Sequence, residues 1–231
     1  MMLFVIGIFF MVVSLIVGWS LKSAFEKYSR YPLSSGLSGR EIAEKMLHDN
    51  GIYDVRVMSV PGRLTDHYNP ANKTVNLSPE VYGGRSISAA AVAAHECGHA
   101  VQHATAYRWL GFRSAMVPIV NISSSIMNFV FLASMFLGFA FHLFDSRVIL
   151  AIIVVAQGII TLFSLVTLPV EFDATRRGLA WIETAGVAAP AEMPKARHAL
   201  RLAATTYVVN ALYALTTLIY FILRFLGSDR R

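Results

Sequence analysis

The chain has 231 residues, of which 55% are hydrophobic and 15% charged, and its mean hydropathy is +0.55. These values exclude an ordinary soluble domain and point to membrane-spanning segments. The net charge of +6 does not indicate nucleic acid, since the basic residues are scattered and no nucleic-acid motif occurs; membrane orientation accounts for them.

Residues 1–21 are almost wholly apolar before Lys22, long enough to span a bilayer. They lack the basic start and small-residue cleavage site of a secretory signal, so an uncleaved anchor is expected. Residues 23–37 read as a basic linker. Ser38-Gly39-Arg40-Glu41 has capping-box spacing, an apolar stripe of Ile42, Ala43, Met46 and Leu47 follows, and Gly51 ends that helix. Strands are predicted over 53–60, 64–68 and 73–77, with Pro61-Gly62 and Asn69-Pro70-Ala71-Asn72 as the turns. The strand over 73–77 could be an edge that pairs with an extended substrate, or an ordinary sheet strand. Pro79 suits the first position of a short helix.

Residues 86–106 predict a helix capped by Ser86, rich in alanine and free of proline. Its small side chains suit an interior position. It contains His95-Glu96-Cys97-Gly98-His99, the pattern H-E-x-x-H. In a helix His95 and His99 lie one turn apart on one face and can bind the same Zn²⁺. Glu96 sits beside the first ligand, where it reaches a water on the metal rather than the metal, the place of a general base. The pattern arises by chance in about one chain in a hundred of this length, but a buried helix has little reason to carry two histidines and a glutamate unless they are used. Cys97, the only cysteine, excludes an intrachain disulfide and reads as buried filler rather than a fourth ligand.

Further spans are predicted over 116–144, 148–170 and 207–226, with a tail over 227–231. Asn121, Asn128 and His142 read as structural. Asp145-Ser146-Arg147 reads as a tight turn. Gln157 and Gly158 interrupt the third span, and Pro169 marks its end. Residues 171–206 form a polar, basic segment with a helix on each side of Pro190. Four spans place 22–115 and 171–206 on one face. Lys22, Lys27, Arg30, Arg108 and Arg113 flank the first segment, and Arg176, Arg177, Lys195, Arg197 and Arg201 lie in the second. Arg147 stands opposite, and Arg224, Arg230 and Arg231 weigh the other way. The positive-inside rule makes the working face cytoplasmic.

A catalytic zinc takes three protein ligands and a water. Candidates for the third are Glu171, Asp173, Glu183, Glu192, His198, Asp66 and His67. Glu171 stands out because a carboxylate directly after a span is costly unless it is paired or bound.

Several stretches carry a family resemblance. They are Thr65-Asp66-His67-Tyr68 with Asn69-Pro70, Val75-Asn76-Leu77-Ser78, Ala93 through Gln102, Leu168-Pro169-Val170-Glu171-Phe172-Asp173-Ala174, and Thr206-Tyr207. Over nearly its whole length the chain resembles the membrane-bound neutral zinc metallopeptidases of the YugP type. More distantly it looks like the gluzincin membrane proteases related to HtpX and the CAAX-processing protease. There the first glutamate of an E-x-x-x-D segment is the third ligand, which by analogy is Glu171. Thr175 departs from that pattern, so a carboxylate orienting a ligand histidine has to come from elsewhere. Asp173 is the candidate, although its offset of two turns it to another helix face and ion pairs with Arg176 or Arg177 explain it equally well. The resemblance also implies an oxyanion donor, for which Tyr207 and His198 are candidates; a tyrosine at a span entrance is also a common interface anchor. Asp66 and His67 could touch the site, though a turn former and a surface histidine are the plainer readings.

The expected molecule is a mostly α membrane protein of about four transmembrane helices with a small cytoplasmic α+β, zincin-like catalytic domain. It is expected in a bacterial-type cytoplasmic membrane, as a multi-pass endopeptidase holding one Zn²⁺ per chain. Its expected partners are protein or peptide substrates, the lipid bilayer, and a regulatory membrane partner or a second copy of the chain; nucleic acid is not expected. The alternative is a metal-stabilised scaffold or adaptor without hydrolytic activity. Such a structural site has no need of Glu96 and takes four protein ligands. A transporter is a weaker alternative, because the polar residues within the spans are few and unpaired.

Overall fold

A computed structural model describes residues 1–136 and 146–227. His142, Asp145, the far end of the second predicted span and residues 228–231, with Arg230 and Arg231, lie outside the described residues. The chain is mostly helical and divides into two compact units.

One unit comprises Met1–Leu15, Phe112–Leu168 and Tyr207–Arg231. It is built from stretches of four helices: α1 (Met2–Ser29), α5 (Arg108–Phe136), α6 (Ser146–Thr184) and α7 (Met193–Gly227). Among the described residues these four are long and apolar enough to cross a membrane. Ser146 and Arg147 begin α6. Gln157 does not interrupt that helix. Its amide donates to Ala214 O at 3.1 Å, and Thr161 Oγ1 donates to the same carbonyl at 3.1 Å, so the polar groups join α6 to α7 instead of breaking either. Asn121 and Asn128 are exposed on α5.

Pro169 does not end α6, which runs on to Thr184. A proline inside a helix removes one N–H and leaves one carbonyl without its helical donor, but neighbouring turns can carry the helix through. At 39 residues and about 1.5 Å per residue, α6 is about 58 Å long, roughly twice the hydrocarbon core of a bilayer. The helix expected after Pro190 and the last span are likewise one continuous helix, α7.

The other unit comprises Ile16–Gly111 and Pro169–Thr206. The predicted linker after residue 21 is helical as far as Ser29, the end of α1. Ser38 caps α2 (Gly39–Asp49) in a full capping box: its hydroxyl accepts from Glu41 N, and Glu41 Oε2 accepts from Ser38 N at 2.7 Å. Gly51 then takes the left-handed φ of +71° that turns the chain away, as expected of a glycine after a helix.

Three short strands follow: β1 (Arg56–Ser59), β2 (His67–Asn69) and β3 (Thr74–Leu77). Their spatial order is β1-β3-β2, with β1 parallel and β2 antiparallel to β3. β3 is therefore central, with all four of its residues buried, so the stretch predicted over 73–77 is not an edge open to substrate; the edges are β1 and β2. A short helix α3 (Pro79–Tyr82) leads to α4 (Ile87–Ala104), whose N-cap Ser86 accepts from Ala89 N. Ile42 and Met46 of α2, Val75 and Leu77 of β3, Ile87 of α4 and Ile182 of α6 pack into one core and are almost fully buried. Through this core α4 is held as an interior helix, and its histidines are fixed in place by the packing around them.

Candidate metal centre

Helix α4 presents His95 and His99 one turn apart, with ring centroids 4.9 Å from each other. Helix α6 brings Glu171 to meet them. Glu171 Oε2 lies 3.3 Å from His95 Nε2 and 3.5 Å from His99 Nε2, and Glu171 is 3% exposed. These separations are long for charge-assisted hydrogen bonds, which run about 2.7–2.9 Å. They match the spacing of ligand atoms around a tetrahedral ion with bonds of about 2.0–2.2 Å, which is about 3.3–3.6 Å. The donor set of two imidazoles and a carboxylate, all within 4.8 Å of one another, therefore fits zinc. Burial alone would push the His99 imidazole down, but the facing Glu171 carboxylate outweighs it and raises its pKa. The site is arranged to hold positive charge.

The approach of α4 to α6 depends on two glycines. A Cβ on Gly98 would lie 2.5 Å from the backbone oxygen of Ala174, and a Cβ on Gly178 would lie 2.8 Å from that of Ala94. Gly98 is thus one of the two unspecified positions of the histidine pattern, and only a residue without a side chain lets Glu171 come within reach. Cys97 faces the opposite way. It is fully buried, its Sγ donates to Ala43 O at 3.6 Å, and burial pushes its thiol pKa up. That environment suits packing and not a thiolate ligand.

Each histidine is held at its other nitrogen. His99 Nδ1 lies 3.0 Å from Oε1 of Gln102, which is fully buried. The Gln102 amide donates to Val170 O at 2.8 Å and to Asp173 Oδ2 at 3.0 Å. Two acceptors on the NH₂ side fix the orientation of the amide, so its oxygen faces His99 and accepts from Nδ1–H. His99 Nε2 is left with a lone pair toward Glu171. His95 Nδ1 lies 3.1 Å from the Thr175 hydroxyl. Thr175 thus stands beside a candidate ligand histidine at the position where the distant relatives carry a carboxylate. Asp173 reaches the histidines only through Gln102, and it also pairs with Arg176 and, at 2.6 Å, with Arg177. The sequence marks Thr175 only as a departure from the distant pattern and gives Gln102 no role, yet helical spacing points to both. Gln102 is three residues from His99 and Thr175 four from Glu171, each on the same helix face.

Glu96 stands outside the three-residue group. It is 8% exposed, and its Oε2 accepts from Tyr68 N at 3.0 Å. The edge strand β2 therefore holds this carboxylate. The other candidates lie elsewhere. Asp66 accepts from Ser78 N at 2.7 Å and from its hydroxyl, tying the loop before β2 to the start of α3, and burial raises its pKa. His67 is exposed, with Nδ1 2.7 Å from Thr65 O. His198 Nδ1 is 3.1 Å from the Tyr28 hydroxyl, a contact between α7 and α1. Glu192 accepts from Ser34 N and Oγ. Tyr207 begins the part of α7 that belongs to the other unit.

The family described as "Putative neutral zinc metallopeptidase" matches residues 3–226. The chain is 41% identical over 210 residues to the "Putative membrane protease YugP" of Bacillus subtilis (strain 168), covering 91% of this chain and 90% of that protein. No solved structure matches. Matched over nearly its whole length, the chain belongs to this neutral zinc metallopeptidase family.

Proposed function

We propose that this chain is a membrane-embedded zinc endopeptidase. It hydrolyses peptide bonds of membrane or membrane-proximal proteins at the cytoplasmic face, in quality control or processing. The observation that carries the reading is the convergence of His95, His99 and Glu171 beside a buried Glu96 that is not one of the three. A purely structural ion has no use for such a carboxylate. In this reading α2, α4 and the three-stranded sheet form a small zincin-like catalytic domain, attached to four membrane spans and holding one zinc per chain.

His95, His99 and Glu171 hold the ion, while Gln102 keeps the His99 imidazole in the Nδ1–H tautomer and Thr175 holds that of His95. Zinc, when bound, supplies Lewis acidity toward the scissile carbonyl and acidifies a water. Glu96 takes a proton from the attacking water and delivers it to the leaving amine. The Tyr68 N–H fixes the carboxylate that makes both transfers. Glu171 directly follows the apolar stretch 148–170 in the sequence, where a carboxylate is costly unless it is paired or bound. That placement supports a site at the membrane surface and substrates that reside there.

The expected result in detergent is cleavage of an unfolded model protein that stops with a chelator and returns with added zinc. Cleavage indifferent to the chelator sinks the reading. The orientation has its own check. Tyr53 is 75% exposed and the native Cys97 is buried, so Tyr53→Cys gives one reactive thiol. A membrane-impermeant maleimide should label it only after the cells are opened; labelling of intact cells reverses the assigned face.

A further inference from the structure

We infer that the cavity beside Glu96 receives an apolar side chain of the substrate, within two positions of the bond that is cut. The inference rests on the peptidase reading above and adds the substrate preference of that same site.

The cavity has a volume of about 180 Å³, room for one side chain of leucine to phenylalanine size. Ile52, Val55, Ala100 and Ala104 give it apolar walls. Its polar lining is already paired. The Tyr68 hydroxyl lies 2.7 Å from His103 Nδ1, and Lys73 forms an ion pair with Asp54. Those two charges neutralise each other, so a charged occupant would gain no counter-ion and would be desolvated against the apolar walls. An apolar side chain loses nothing by entering.

Two links tie the cavity to Glu96. Tyr68 uses its backbone N–H to hold the Glu96 carboxylate and lines the cavity itself. Ala100 lies four residues after Glu96 on α4, so the two Cβ atoms are about 5–6 Å apart on one face. An extended peptide advances about 3.3 Å per residue. A substrate carbonyl placed at Glu96 therefore sets a neighbouring side chain at the cavity mouth.

The test profiles cleavage sites of unfolded proteins by mass spectrometry, using the full chain in detergent with zinc. Glu96→Gln identifies the cuts that belong to this site. Ala104→Phe, at an exposed position on the cavity wall, fills the space from α4. Val55→Phe fills it from the opposite wall, so a folding defect in one variant does not decide the outcome. In the wild type, leucine, methionine or phenylalanine should dominate one position beside the cut. In either filled variant kcat/KM for those residues should fall by about ten-fold or more, while substrates with alanine or glycine there are cut as before. Glu96-dependent cleavage with an unchanged preference in both variants overturns the subsite and leaves the peptidase intact. A wild type with no Glu96-dependent cleavage overturns the peptidase and the subsite together.

Discussion

Glu171→Ala should leave the protein folded in detergent and strip it of stoichiometric zinc. Glu171 supplies the only carboxylate among the three atoms that converge, and it comes from a different helix than the two histidines. Without it, His95 and His99 form a two-ligand site that α4 alone provides. Changes to groups that merely orient a ligand cost about 10–100-fold in metal affinity, so loss of a ligand should exceed that range. Removal of a carboxylate that is 3% exposed also leaves the two imidazoles with space and only Glu96 as a nearby countercharge, so the variant should bind added zinc weakly and reversibly. Metal analysis after gel filtration reads the result directly. Full zinc occupancy in Glu171→Ala would show that the third ligand lies elsewhere.

The second large effect concerns a residue with no chemistry of its own. Glycine inside a helix normally destabilises it by about 1 kcal/mol relative to alanine, so Gly→Ala usually helps. At Gly98 the sign should reverse. The added Cβ would meet the backbone oxygen of Ala174 at 2.5 Å, and a carbonyl in the middle of α6 cannot swing aside. Overpacking of this kind costs about 1–3 kcal/mol. The two helices must separate, and Glu171, one turn before Ala174, moves with α6. Gly98→Ala should therefore lower both the midpoint of thermal unfolding and zinc affinity. Gly111→Ala is the control, since nothing lies within 4 Å of its added Cβ. Equal behaviour of the two variants would remove the close approach from the account.

The same two helices show where the sequence was readable and where it was not. His95, Glu96 and His99 were legible because their chemistry depends on spacing along a single helix, and the Ser86 cap and run of alanines marked that helix as buried. Glu171 was legible because a carboxylate after a long apolar run is expensive unless something holds it, and the resemblance supplied its role. The support around them was harder to see. Gln102 and Thr175 look ordinary in sequence; their meaning comes from which nitrogen of which histidine they face across the α4–α6 contact. Gly98 passed as an unspecified position for the same reason. Strand order is also a property of the fold and not of local alternation, so the β3 residues could be read as an edge although β1 and β2 pair on both sides of them. Proline usually ends a helix, but α6 continues past Pro169 and carries Glu171 to the histidines.

The central claim is that one bound zinc and one unligated carboxylate together cut peptide bonds. The most direct measurement compares wild type and Glu96→Gln, purified in detergent, for zinc content and for cleavage of an unfolded protein. The amide keeps the size of the carboxylate and its acceptor for Tyr68 N–H, but it cannot take a proton. One zinc per chain is expected in both proteins, with a rate lower by about 10²–10⁴-fold in the variant. Equal cleavage by the two proteins, or loss of zinc from Glu96→Gln, would contradict that claim.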